Sequence, residues 1–164
     1  MNTIDADEAI ESLGWEYLHE LSTFGALSTA VISDLLHKGV IRQYQKGEYV
    51  SRVERVAVDF QVVLSGRVAY YRHFTDCDVL TRFFAQGEQM GFDQMIGLLT
   101  QNGTDVAVEE SLILDVSNRQ FSRLHVEFPA DFGLLMINLA RELAREIEML
   151  ENVIGKGTGW REES

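Results

Sequence analysis

Histidine and cysteine side chains are the residues of this sequence whose chemistry would suit a metal ion or haem. His73 and Cys77 lie four residues apart across a predicted turn, which would bring two such ligands close together. The other histidines, His19, His37 and His125, are scattered and lack the spacing of a zinc site. Since a lone thiol on a hairpin is usually a surface residue, the sequence predicts no metal site and no cofactor.

Catalytic motifs are also missing from the sequence. It contains no Gly-x-Ser-x-Gly, no phosphate-binding loop that ends in Gly-Lys-Ser/Thr and no His-Glu-x-x-His. Its single cysteine excludes an intramolecular disulfide and a four-thiolate cluster, which is typical of a reducing compartment. We therefore predict a cytoplasmic protein that is not an enzyme.

The net charge limits the partners that the protein can bind. Fourteen basic and 26 acidic residues give a formal charge of −12, which repels nucleic-acid backbones and anionic lipid headgroups. No segment approaches the roughly 18 apolar residues of a membrane span. The sequence therefore predicts a small-molecule or protein partner, without direct nucleic-acid or membrane binding. The acidity either serves solubility alone or favours a basic partner or a cationic ligand.

Hydrophobic periodicity divides the chain into four parts. Residues 1–38 have an apolar period near 3.6 and are predicted to be helical, with Ser28 as a cap and Gly39 as the end. Residues 39–128 contain short β-branched and aromatic runs separated by turns, which predicts antiparallel strand pairs. Residues 129–155 form one amphipathic helix, and residues 156–164 are a tail.

Closing the predicted strands on themselves would remove most of the exposed sheet edges. We therefore predict a mainly β protein with flanking helices, in the α+β class. Its centre would be a double-stranded β-helix jelly roll of about eight strands. A long C-terminal dimerisation helix would follow the roll.

Glycine-containing motifs in the predicted roll resemble those of a known family. Leu64-Ser-Gly-Arg-Val68 and Gly87-Glu-Gln-Met-Gly91 stand in the order of the family's central strand pair and the glycine motif that follows it. Lys46-Gly-Glu48 precedes them, and Ser117-Asn-Arg-Gln-Phe121 and Ala140-Arg-Glu-Leu143 come after. From about residue 38 to 155, the chain thus resembles the cyclic-nucleotide-binding domains of the catabolite-activator (Crp/Fnr) regulator superfamily. The resemblance implies a jelly roll with a regulatory function.

The resemblance also implies a ligand site, in which two of the family's residues are replaced. In the family, helix amides and an arginine bind the cyclic phosphate, and a glutamate binds the ribose. Here Phe92 stands in the glutamate place and Asn102 in the arginine place. Asp93 stands at the predicted N-cap, where its carboxylate would occupy the amides that an anion needs. We therefore predict that cyclic AMP and cyclic GMP do not bind in the usual way. The candidate ligand-binding residues are Gly91, Phe92, Asp93, Gln94, Asn102, Gly103 and Thr104.

Phe92 leaves two interpretations open. Its ring either fills the core where an unused pocket has collapsed, or lines a cavity together with Met90 and Met95. Such a cavity would suit a neutral ligand that is more apolar than a nucleotide. Arg72 and Arg82 lie on the preceding strands, where alternation decides whether they face inward.

The long C-terminal helix predicts a homodimer. Its apolar stripe extends further than the roll could cover, and charged residues such as Glu142 fall mostly on the opposite face. The predicted dimer contacts are Leu139, Leu143, Ile147, Leu150 and Ile154. In the tail, Trp160 is either part of a disordered end or a docking anchor.

Together these features predict a regulatory or sensor domain that acts without catalysis. One alternative is the effector domain of a transcription regulator that lacks its DNA-binding domain, because residues 155–164 are too few for a helix-turn-helix. Another is a haem-based sensor that uses His73 or Cys77.

Overall fold

Nine strands and six α-helices make up residues 2–52 and 58–158, the part of the chain that the computed structural model describes. In chain order they are β1 (Asn2–Ile4), α1 (Ala6–Leu13), α2 (Trp15–Glu20), a 3-10 helix (Ser22–Phe24), α3 (Thr29–Lys38), β2 (Val40–Tyr44), β3 (Tyr49–Ser51), β4 (Asp59–Ser65), β5 (Arg67–His73), β6 (Asp78–Ala85), β7 (Gln89–Met90), α4 (Phe92–Gly97), β8 (Gly103–Ala107), β9 (Ser111–Ser117), α5 (Asn118–Glu127) and α6 (Pro129–Thr158).

The strands form two antiparallel sheets that face each other. The five-stranded sheet has the order β1-β2-β9-β4-β7, and the four-stranded sheet has the order β3-β8-β5-β6. Consecutive strands β4 and β5 lie in different sheets, and β5 pairs with β6 and β8 on either side. The predicted jelly roll with flanking helices is confirmed.

Two hydrophobic clusters lie on opposite faces of the five-stranded sheet. The larger cluster joins this sheet to the helices and includes Leu35 and Leu135. The smaller cluster lies inside the roll, where Val63 of β4 meets Val68 of β5. Strand β4 is therefore buried on both faces, which explains its nearly continuous apolar sequence.

Most of the predicted N-terminal helical segment is present. The Ser28 hydroxyl accepts a hydrogen bond from the backbone N–H of Val31 at 3.3 Å, and Gly39 caps the end of α3. Strand β1 was not predicted, and it pairs with β2 from Asn2 opposite Gln43 to Ile4 opposite Ile41. Three residues are too few for an alternating pattern, so this strand depends on its pairing partner.

Helix α6 is covered by its own chain for about half its length. Leu139 is fully buried, and Leu143 packs against the larger cluster. These two predicted dimer contacts therefore pack within their own chain, and the prediction is wrong for the fully buried Leu139. Glu142, which was assigned to the polar face, is only 2% exposed. By contrast, Ile147, Leu150 and Ile154 are exposed.

The end of α6 lies further along the chain than predicted, at Thr158. Trp160 and the rest of the tail from residue 159 lie outside the described residues. Among the helices of residues 2–52 and 58–158, none combines the length and apolar character needed to cross a bilayer.

Candidate functional site

A cavity of about 110 Å3 lies between the two sheets, next to α4 and α6. We call it the roll cavity. Its lining is mostly polar, and Arg72 and Asp93 are exposed to solvent. The lining residues are Ser51, Asp59, Gln61, Tyr70, Arg72, Phe84, Gln89, Met90, Gly91, Asp93, Gln94, Gln101, Asp105 and Glu146.

The backbone N–H groups at the start of α4 donate hydrogen bonds to groups of the chain itself. Gly91 is the N-cap, with a φ of 77° that favours glycine over other residues. The backbone N–H of Phe92 donates to Gln89 Oε1 at 3.0 Å, and the Asp93 carboxylate accepts from the backbone N–H of Gln94. Asp93 therefore occupies helix amides as expected, but the prediction that it is the N-cap is wrong. The left-handed turn at Gly91 begins the helix two residues earlier.

The ring of Phe92 lies in the core and does not line the roll cavity. It is 2% exposed and makes edge-on contacts with Phe60 and Phe121, at ring-centroid distances of 5.6 and 5.7 Å. Met95 is buried in the same cluster, so only Met90 of the three predicted lining residues reaches the cavity. The interpretation that Phe92 and Met95 line a ligand cavity is therefore wrong.

A buried carboxylate is the central polar group of the roll cavity. Asp105 on β8 is 6% exposed, and its Oδ2 accepts hydrogen bonds from the Ser51 hydroxyl and, at 3.0 Å, from Gln101 Nε2. Burial raises the pKa of Asp105 to about 6, although the hydrogen bonds from Ser51 and Gln101 lower it and the nearby Asp93 raises it further. The site thus holds an acid that titrates close to neutral pH.

Acidic groups also dominate the side of the cavity near α4 and α6. Glu146 forms an ion pair with Arg82, whose guanidinium lies 4.3 Å from the centre of the Phe84 ring. Although Asp93 is partly open to solvent, desolvation by the groups packed around it raises its pKa, and Glu146 raises it further. Arg82 is thus engaged by Glu146, and Arg72 is the basic residue that lines the cavity.

Three further candidate residues lie beside the cavity and not in its lining. Asn102 is exposed, and its carbonyl accepts a hydrogen bond from the His73 N–H at 3.0 Å. Gly103 allows the Tyr70 ring to pack against β8, because a Cβ here would lie 2.5 Å from the Tyr71 carbonyl oxygen and collide with that ring. Thr104 points away from the cavity, toward His73.

Of the seven candidate residues, the structure therefore brings Gly91, Asp93 and Gln94 together at the roll cavity. Sequence analysis missed Gln101 and Asp105, which reach the cavity from the segment at the start of β8. Gln101, Gly103 and Asp105 are each two residues apart, which places them on one face of an extended chain. This spacing is the signal from which the sequence could have identified Gln101 and Asp105.

His73 is held on the outer face of the four-stranded sheet. Its Nε2 lies 2.8 Å from Thr104 Oγ1, and its Nδ1 contacts the Asp78 carboxylate. Cys77 is exposed. In the described part of the chain, no group of three or more histidine, cysteine or acidic side chains is arranged to hold a metal ion.

The paired sheets, the short helix after Gly91 and the long helix α6 together define the fold of cyclic-nucleotide-binding domains. Comparison with solved structures confirms the fold that the sequence motifs implied. A cyclic nucleotide-binding domain from Methylobacillus flagellatus KT matches with a TM-score of 0.78 and 17% sequence identity, over 94% of this chain and 88% of that one.

Two longer proteins contain the same fold. The catabolite activator protein of Thermus thermophilus matches with a TM-score of 0.67 and 22% identity, over 81% of this chain and 61% of its own. The regulatory subunit of a cAMP-independent protein kinase A from Trypanosoma cruzi, bound to guanosine, matches with a TM-score of 0.68 and 18% identity, over 93% of this chain and 52% of its own. At these identities the similarity shows the fold alone. No protein-family model matches the sequence, and no curated protein is significantly similar to it.

Proposed function

We propose that this protein is a regulatory domain that senses a small polar ligand in the roll cavity, and that this ligand carries no cyclic phosphate. The proposal rests on the lining of the cavity, in which Asp59, Asp93 and Asp105 outnumber the single basic residue Arg72, while Glu146 is already paired with Arg82. An anionic ligand would meet carboxylates there, in surroundings where charge repulsion is poorly screened.

The free-energy cost for a cyclic nucleotide is large. An arginine–phosphate contact contributes roughly 1.5–3 kcal/mol, and the place of that arginine is held by Asn102, which is exposed outside the cavity. The first amides of α4 are already bonded to Gln89 and Asp93, so they are not available to a phosphate. We expect dissociation constants for cyclic AMP and cyclic GMP weaker than about 100 μM.

A phosphate-free ligand is compatible with this fold. The Trypanosoma cruzi regulatory subunit is described as independent of cyclic AMP and bound to guanosine, a nucleoside without a phosphate. The roll cavity is smaller than the roughly 300 Å3 at the lower end of typical ligand pockets. It therefore suits a small molecule, or one end of a larger ligand whose other end lies toward solvent.

Native mass spectrometry of the freshly purified protein, followed by calorimetry with cyclic AMP, cyclic GMP and guanosine, tests the proposal. We expect a co-purified or titrated ligand without phosphate, and no cyclic nucleotide that binds more tightly than about 100 μM. A calorimetric dissociation constant near 1 μM for either cyclic nucleotide would contradict it.

We also propose that two copies of the chain associate through the second half of α6. Ile147, Leu150 and Val153 are 57%, 44% and 63% exposed, although they lie on a helix whose earlier turns are buried. Apolar side chains that continue a buried stripe into solvent are typical of an interface between helices. The predicted contacts Leu139 and Leu143 belong to the core of one chain and would support this surface from behind.

A further inference from the structure

We infer that the roll cavity binds its ligand through a positively charged amine, held by the carboxylates of Asp105 and Asp93. This inference rests on the proposed function, because it names the chemical class of the ligand that the cavity senses.

Asp105 has a buried charge without a counter-charge. Both of its hydrogen bonds, from Ser51 and Gln101, are made by neutral groups and reach the same oxygen, Oδ2. Among the described residues, no cation and no hydrogen bond is seen at Oδ1, and the residue is 6% exposed and lines the cavity. Burying a carboxylate without a compensating cation is unfavourable, so an ammonium group in the cavity would supply what the chain lacks.

The other charged groups that face this carboxylate also favour a cation. Asp59 on β4 and Asp93 on α4 carry negative charge and Arg72 on β5 carries positive charge, and both Asp93 and Arg72 are exposed. Glu146 on α6 is paired with Arg82 on β6, so these two charges compensate each other and the remaining groups are negative on balance. A neutral ligand would leave the buried carboxylate uncompensated, and an anion would add to the repulsion.

The dimensions of the site suit an amine with a short apolar chain. Its volume is about 110 Å3, close to that of an apolar cavity of about 150 Å3 that accommodates benzene. Tyr70, Phe84 and Met90 provide the apolar and aromatic part of the lining. Aromatic rings tolerate a nearby ammonium group better than aliphatic walls do.

Three probes of similar shape and different charge test the inference: n-butylammonium, 1-butanol and butyrate, titrated at pH 7.5 and followed by heteronuclear NMR. We expect butylammonium to shift the amide signals of residues around Asp105 and to bind about tenfold or more tightly than butanol, with no binding of butyrate. Asp105→Asn should remove most of this preference. Asp76→Asn, which removes one charge from an exposed turn, should leave it unchanged.

The outcomes separate this inference from the proposed function. If butanol binds as tightly as butylammonium, or the co-purified ligand is neutral, the amine assignment is wrong while a ligand-sensing cavity remains. If none of the probes, guanosine or a co-purified molecule occupies the cavity, both proposals fail. Asp93→Asn provides a second variant in case Asp105→Asn does not fold. If the preference for butylammonium is unchanged in Asp93→Asn, the assignment of the amine to this pair of carboxylates is wrong.

Discussion

At the scale of single residues, Asp105 links the chemistry of the cavity to the stability of the fold. Its pKa is about 6 in the folded protein and 3.8 in an unfolded chain, so the folded state binds the proton more tightly. The free energy of unfolding therefore falls as pH rises from about 4 to about 6, and the cost of the ionised carboxylate stays constant above that range. This cost is at most about 3 kcal/mol, since one pKa unit corresponds to about 1.4 kcal/mol.

We predict that Asp105→Asn changes this pH dependence. Relative to the wild type, the variant should gain unfolding free energy between pH 4 and pH 6, because it has no carboxylate to ionise inside the roll. Urea denaturation at pH 4, 5, 6 and 7 measures the difference, and Asp76→Asn is the exposed control. A difference that stays the same from pH 4 to pH 7 would show that Asp105 does not titrate in this range.

At the scale of elements, the sequence was informative where a pattern repeats over several residues. Strand β4, strand β5 and helix α6 were predicted within a few residues, because each has a long apolar period or a glycine turn at its end. Strand β1 and the N-cap of α4 were not predicted. The first depends on pairing with β2, and the second depends on the left-handed φ of Gly91.

The candidate site was predicted less well, because inward and outward directions are set by tertiary packing. Counting along a motif placed Asn102 in the position of a ligand-binding residue, whereas its neighbour Gln101 is the one that reaches the cavity. The sequence did not determine whether the ring of Phe92 faces the cavity or the core. In the structure it packs in the core, against Phe60 and Phe121. A sequence shows which residues alternate, but the packed core decides which face is inside.

Glu142 connects α6 to the rest of the fold. Its Oε1 accepts hydrogen bonds from the hydroxyls of Ser22 and Thr23 at 2.9 and 3.0 Å, and its Oε2 accepts from the Gln89 N–H at 2.9 Å. Gln89 in turn lines the roll cavity and bonds the first amide of α4. This chain of hydrogen bonds provides a physical route from a ligand in the cavity to the helix proposed to form the dimer.

We predict that Glu142→Ala lowers the free energy of unfolding by about 2 kcal/mol, because it leaves the buried Gln89 N–H without an acceptor. The Ser22 and Thr23 hydroxyls can still donate to the Gly87 carbonyl. Glu142→Gln should lower the free energy of unfolding by less, since the amide oxygen of glutamine can still accept one of these hydrogen bonds. Glu148→Ala, at an exposed position of the same helix, is the matched control and should change stability by less than about 0.5 kcal/mol. Equal effects of Glu142→Ala and Glu148→Ala in chemical denaturation would contradict the anchoring role.

At the scale of the whole molecule, the second half of α6 is the surface proposed to join two copies of the chain. From residue 147 to 157 every side chain is exposed, and the apolar ones continue the stripe that packs in the core at Leu139. Each buried side chain of this size contributes roughly 1.5–3 kcal/mol, so two copies of Ile147, Leu150 and Val153 give on the order of 10 kcal/mol before ordering costs. That gross gain is sufficient for a stable helix-pair contact.

We predict that the wild type is a dimer at tens of micromolar and that the double variant Ile147→Glu, Leu150→Glu is a monomer, because the new carboxylates join Glu148 and Glu151 on a helix that would face its own copy. Both positions are exposed in the single chain, so the substitutions should not disturb the fold of each chain. Any fall in melting temperature should come only from the loss of association. Light scattering measures the mass. Val126→Glu, which places the same charge on the exposed face of α5, should remain dimeric. A monomeric wild type, or a double variant that is still dimeric, would show that α6 is not the interface.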